Sequence, residues 1–116
     1  MSSTVFGVSY DAADAKVAAS FWAAALSRSV GDGADAYSAV VEPADPASGP
    51  RIGFRRVPEP KTVKNRMHFD LITADFPSEV ERLFALGATK LNEVRDGAHW
   101  VTLADPEGNE FDLIEG

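Results

Sequence analysis

Apolar and polar positions alternate along this chain with two different periods, and the same succession of periods occurs twice. Val5 to Tyr10 reads as a strand, and Asp11 to Asp14 supplies residues that start helices. From Ala15 to Leu26, residues Ala18, Phe21, Trp22, Ala25 and Leu26 form the i, i+3, i+4, i+7, i+8 stripe of an amphipathic helix. The succession restarts at Met67. Met67 to Ile72 is strand-like, Asp75 marks a second helix start, and Pro77 to Leu86 predicts a helix that buries Val80, Leu83 and Phe84. Pro77 suits a first helical turn and Gly87 a left-handed C-terminal cap.

Short β-rich runs follow each helix: Tyr37 to Val41 and Arg51 to Val57 in the first half, then Leu91 to Arg95, Ala98 to Ala104 and Glu110 to Ile114. Turn chemistry separates them at Asp96-Gly97 and at Asp105-Pro106-Glu107-Gly108-Asn109. The long Pro/Gly-rich stretch Glu42 to Pro50 is expected to be a mobile loop. Two modules of strand, helix and further strands result, at about 4–57 and 67–115, joined by a linker at 58–66 that holds two prolines. Neither half buries a core easily alone, so 1–116 is expected to form a single α+β domain.

Composition narrows the function classes. An apolar fraction of 45% and a charged fraction of 25% are those of an ordinary globular protein. The run Phe21 to Leu26 is far too short for a bilayer, so no membrane association is expected. With no cysteine, disulfide frameworks, thiolate zinc sites and a cysteine nucleophile are excluded. Nothing at the start resembles a signal peptide, which makes the cytoplasm the expected location. Eighteen acidic against eleven basic residues give a net charge of −7, which argues against nucleic acid, is compatible with a cationic small-molecule partner and is also what solubility alone explains. The glycines of Gly31-Asp32-Gly33-Ala34-Asp35-Ala36 lie after a helix and before a strand, the reverse of a dinucleotide loop.

Four stretches carry a wider resemblance: Phe21-Trp22, Lys64 to Leu71, Ala85-Leu86-Gly87-Ala88, and Trp100 to Phe111. In their order and spacing the chain resembles the glyoxalase/bleomycin-resistance/extradiol-dioxygenase group, the vicinal oxygen chelate superfamily, and within it the short glyoxalase-like domain proteins. The resemblance implies a pair of βαβββ modules whose mixed sheets curl around a cup, with helices outside. It also implies a possible homodimer. Metal enzymes of the group take one ligand from the first and one from the last strand of each module, positions that fall at or near Gly7, Gly53, His68 and Asp112. Glycine has no side chain to donate. Only the second module keeps ligand-type residues, so no cofactor is expected, and a divalent metal requires another group to complete its site. Glu42, Asp70 and Glu110 are nearby, and only Asp70 shares strand parity with His68.

Period-2 alternation sends Met67, Phe69 and Leu71 toward the helices and His68, Asp70 and Ile72 toward the implied cup. Three readings of His68 stand side by side: a structural histidine paired with Asp70 or Asp112, an acid/base or ligand-contacting group, and a metal ligand. Asp112 is a partner for it or a solvated carboxylate. Trp100 and Thr102 share a face that offers an aromatic wall and a hydroxyl, unless Trp100 is core; His99 faces the other way. Arg51, Gly53 and Arg55 share a face in the first module, where the arginines either clamp an anionic group or face solvent. The cluster Lys61, Lys64 and Arg66 reads as solvated linker. These observations favour a small-molecule-binding protein, with lyase- or isomerase-type proton transfer by His68 and Asp112 if it is an enzyme. The alternatives are a bleomycin-resistance-like protein that sequesters an antibiotic or metabolite, and a metal-dependent glyoxalase or dioxygenase whose site another group completes.

Overall fold

The structure is a computed structural model that describes residues 2–116. Its contacts separate the chain into two compact units, the first ending at Pro60 and the second beginning at Lys61.

The first unit runs β1 (Gly7–Ala12), α1 (Ala15–Ala25), β2 (Ser29–Val30), β3 (Ser38–Glu42) and β4 (Arg51–Arg56). Its sheet has the order β1-β4-β3-β2, with β1 parallel to β4 and the other pairs antiparallel. Asp14, in extended conformation, ends the strand connection and caps the helix, its Oδ1 accepting from the Val17 N–H at 3.1 Å. Four members of the stripe read from the sequence, Ala18, Phe21, Trp22 and Ala25, lie in the core with Ala39, Val41, Ile52 and Phe54 of the sheet, and the fifth, Leu26, caps the helix half-buried. Alanines on that stripe let helix and sheet approach closely around Trp22, which is completely buried. Tyr10 stacks on the Trp22 and Phe54 rings at centroid distances of 6.3 and 5.8 Å.

The second unit repeats the plan with β5 (Asp70–Thr73), α2 (Phe76–Leu86), β6 (Thr89–Asp96), β7 (Ala98–Ala104) and β8 (Glu110–Glu115). The order is β5-β8-β7-β6, again with the first strand parallel to the last. Gly87 ends α2 at φ 115°, donating to the Phe84 carbonyl while Ala88 donates to that of Leu83. Leu83, Phe76, Val101, Leu103, Phe111 and Leu113 form the core. The α+β class and the twofold succession of strand, helix and antiparallel strands are those read from the sequence.

Several boundaries differ from the sequence reading. The first strand begins at Gly7 rather than Val5, leaving Val5 and Phe6 about three-quarters exposed at 77% and 76%. The fifth begins at Asp70 rather than Met67, so His68 stands just before the strand and Met67, expected against a helix, is 64% exposed. Strand propensity at 67–69 yields to tertiary ties that hold the preceding linker, described below. Helix α2 takes in Phe76, which is buried, while Val80 and Phe84 are half-buried. The stretch 42–50 is not a free loop. It holds a short 3₁₀ turn (Pro46–Ser48) closed by a reciprocal capping box between Asp45 and Ser48, and Arg28 donates to the carbonyls of Ser48 and Pro50 at 2.7 and 2.8 Å.

Replacing Trp22 with Ala is expected to lower the unfolding free energy by about 3–5 kcal/mol, measured by urea denaturation, because the small neighbours cannot collapse into the space left.

Candidate functional site

Strand register builds a polar cluster in the second unit. The parallel pair sets Asp70 opposite Asp112, and the antiparallel pair sets Thr102 opposite Asp112, so the three side chains share one face of the sheet. The Thr102 hydroxyl donates to Asp112 Oδ1. His68, arriving from the linker, places Nδ1 at 3.2 Å from Asp70 Oδ1 and 3.9 Å from Asp112 Oδ2. Ligand atoms of His68, Asp70 and Asp112 all lie within 4.8 Å of one another. The three side chains remain accessible, at 38%, 56% and 19%.

The position of His68 rests on a clamp that sequence reasoning missed. Glu110 is buried at the start of β8 and receives Lys61 Nζ at 2.8 Å and the Asn65 backbone N–H at 3.0 Å. Asn65 Nδ2 donates to Asn109 Oδ1 at 3.1 Å. Burial pushes the Glu110 carboxyl up, but Lys61 and the Asn65 N–H outweigh it and hold the carboxyl below its ordinary range. Asp105 shapes the turn behind it, its Oδ1 accepting from the N–H groups of Glu107 and Asn109. Lys61, though still in reach of solvent, is therefore tied to the second unit by a part-buried ion pair. The available signal was an acidic residue, Glu110, opening the strand beside Phe111, with two polar residues upstream able to meet it; Glu110 and Phe111 are both buried.

Of the three groups considered for completing the set, Asp70 alone joins His68 and Asp112. Glu110 is engaged by Lys61, and Glu42 pairs with Arg51 at 3.2 Å. In the first unit Ser9 faces Gly53 in the register that Asp70 and Asp112 occupy in the second, and Gly7 faces Arg51. The two glycines differ. A Cβ at Gly7 would stand 2.8 Å from Arg51 Cγ and 3.1 Å from the Arg51 carbonyl, because the Arg51 side chain lies across it and over the Phe6 ring at 5.1 Å. A Cβ at Gly53 would meet Ser9 Oγ at 3.4 Å, an ordinary contact. Arg55 is exposed on the same face. Trp100 and Thr102 are half-buried on the cluster's face. His99 points the other way, against Phe76 at 4.3 Å, with Glu93 at 2.8 Å and Glu115 at 3.3 Å. Lys90 and then His99, hydrogen-bonded to Glu93, lower its carboxyl to about 2.

Residues 7–114 match the glyoxalase-like domain family. The chain belongs to that family. Solved structures with the same fold include a variant of the fosfomycin resistance protein FosX from Listeria monocytogenes, complexed with Mn(II) and 1S,2S-dihydroxypropylphosphonic acid. It is 16% identical at TM-score 0.75, covering 98% of this chain and 90% of that one. A glyoxalase/bleomycin resistance protein/dioxygenase family enzyme from Burkholderia phytofirmans PsJN is 17% identical at TM-score 0.73, covering 95% and 96%. A hypothetical protein from S. aureus is 13% identical at TM-score 0.74, covering 100% and 95%. None of the curated proteins matches the sequence. At such identities the likeness shows the fold. In this glyoxalase-like domain, a divalent ion ligated at about 2.0–2.2 Å places its donors roughly 3–4.4 Å apart, a range that includes both His68 distances. No described helix is long and apolar enough to cross a membrane.

Two outcomes are expected from this geometry. Because the Glu110 carboxyl is depressed in the folded state, its stabilisation is present above the unfolded value near 4.5 and is lost as pH falls through the folded value. Glu110→Gln should cost about 1–3 kcal/mol at neutral pH and flatten the acid limb of stability, read by denaturant titration from pH 7 down to pH 3. Gly7→Ala should destabilise by about 1–3 kcal/mol while Gly53→Ala changes stability by less than about 1, compared by thermal unfolding.

Proposed function

We propose that the protein binds a small organic molecule on the open face of its second sheet, with His68, Asp70 and Asp112 as the polar anchor. The convergence of these three ligand atoms within 4.8 Å, in reach of solvent, carries this reading. In the tautomer with hydrogen on Nδ1, His68 donates toward Asp70, which orients the ring and leaves Nε2 as a base for a bound molecule. Asp112, fixed by the Thr102 hydroxyl, stabilises the imidazolium formed when Nε2 takes a proton. The chemistry that follows is proton transfer of the lyase or isomerase type, with the proton moving from substrate to Nε2 and back to the product.

One observation favours a second use of the same residues. Two carboxylates and an imidazole, at separations that a single ion can bridge, suit a divalent cation of the Mn, Fe or Zn kind. His68, Asp70 and Asp112 would hold it, and the cation would supply Lewis-acid polarisation of a substrate oxygen. The Mn(II) complex of the FosX variant supports this use by analogy of fold.

A thermal-shift screen of small metabolites and of Mn(II), Fe(II) and Zn(II) tests both. A ligand present at about 100 times its Kd adds roughly 2.7 kcal/mol of stability. The expected result is a shift for the wild-type protein that disappears in His68→Ala and Asp112→Asn. A shift unchanged by both substitutions would sink the reading. Stoichiometric metal that Asp70→Asn weakens at least tenfold selects the metal use; metabolite binding indifferent to a chelator selects proton transfer.

A further inference from the structure

Beside the polar cluster the same sheet face carries an apolar row. Register pairs Asp70 with Asp112, Asp112 with Thr102, and Thr102 with Asn92, so one row across all four strands is polar. The next row on that face pairs Ile72 with Ile114, Ile114 with Trp100, and Trp100 with Val94, and every member is apolar. Core residues of this sheet lie on the opposite face, where Val101, Leu103, Phe111 and Leu113 are buried. The apolar row is open instead: Ile72 is 72% exposed, and Trp100, Ile114 and Val94 are only half-buried. A sheet row of two isoleucines, a valine and a tryptophan that keeps this much apolar surface in reach of solvent is a candidate contact for a ligand.

We infer that the ligand of this site is amphiphilic, with a cationic ammonium head seated on Asp70 and Asp112 and a flat apolar group laid along Ile72, Ile114, Trp100 and Val94. The inference rests on the reading of the polar cluster as the ligand site. Charge sets the head: two carboxylates face His68, Thr102 donates to one of them, and the whole chain carries −7, so a cation is attracted and an anion repelled. Spacing sets the length. Residues two apart along a strand are about 6.6 Å apart, so nitrogen and ring centre should be separated by about that distance, the reach of a three-carbon spacer. Size sets the class of occupant. Three strand spacings of about 4.8 Å by one two-residue step cover on the order of 100 Å², far less than the roughly 800 Å² per partner of a stable protein interface.

The test is isothermal titration with benzylamine, phenethylamine, 3-phenylpropylamine and 4-phenylbutylamine, together with 3-phenylpropanol and 3-phenylpropionate. Affinity is expected to peak at 3-phenylpropylamine, in the millimolar range of molecules this small, with the alcohol at least fivefold weaker and the carboxylate weaker still. Ile72→Asp, at an exposed position that the fold tolerates, should weaken the alcohol at least fivefold. Asp70→Asn should weaken the amine at least fivefold and the alcohol by a smaller factor. Equal or tighter binding of the carboxylate, no dependence on spacer length, or no effect of Ile72→Asp overturns the inference. So does a dimer, seen by sedimentation, that Ile72→Asp dissociates, since the row then belongs to a second copy. If none of the amines binds while His68→Ala still abolishes a metal or metabolite shift, the amphiphile inference fails and the proposed function stands.

Discussion

The opposition of the two carboxylates in the candidate site follows from one pairing, the parallel alignment of β5 with β8. Parallel neighbours cannot be joined by a tight turn, so the chain must leave β5, cross over through α2 and return by β6 and β7 before β8 can be laid down. That detour brings two aspartates distant in sequence, Asp70 and Asp112, into direct opposition. A slip of one residue would turn Asp112 into the core and Phe111 out to water, so the burial of Phe111 and Leu113 protects the register of the polar row. Core packing and site geometry are thus one constraint seen from two faces of a sheet.

The first unit uses the same pairing for a different end. With Ser9 and Gly53 where the second unit has two carboxylates, that face has no counterpart of the His68, Asp70 and Asp112 group among the described residues, and the space at Gly7 is taken by Arg51 reaching toward Glu42 and Phe6. Tyr10, Trp22 and Phe54 make its core dense, while α1 needs its alanines to sit down on them.

Much of this was legible because burial writes a period into the sequence. The helix stripe through Phe21 and Trp22, the alternation around Phe111 and Leu113, and the caps at Asp14 and Gly87 are local signals, and the structure follows them within a residue or two. The parity of His68 and Asp70 was legible as well. What the sequence did not disclose was tertiary. Lys61 and Asn65 look like ordinary linker residues until Glu110 is folded beside them, and the apolar row of Ile72, Ile114, Trp100 and Val94 appears only when four separate strands are set in register. Alternation alone placed Met67 in a strand, and it failed because the ties just upstream end the ladder early.

The Glu110 clamp has a consequence for where the site resides. It binds the incoming linker to the second unit, so His68, both carboxylates, the hydroxyl that steadies one of them and the residues that hold the linker all come from residues 61–112. The candidate cluster is thus contained in one half of a chain whose two halves share a plan. Among the described residues, none of the three side chains of that cluster comes from the first unit, so substitutions on the first sheet leave the cluster's own hydrogen bonds and ion pairs in place.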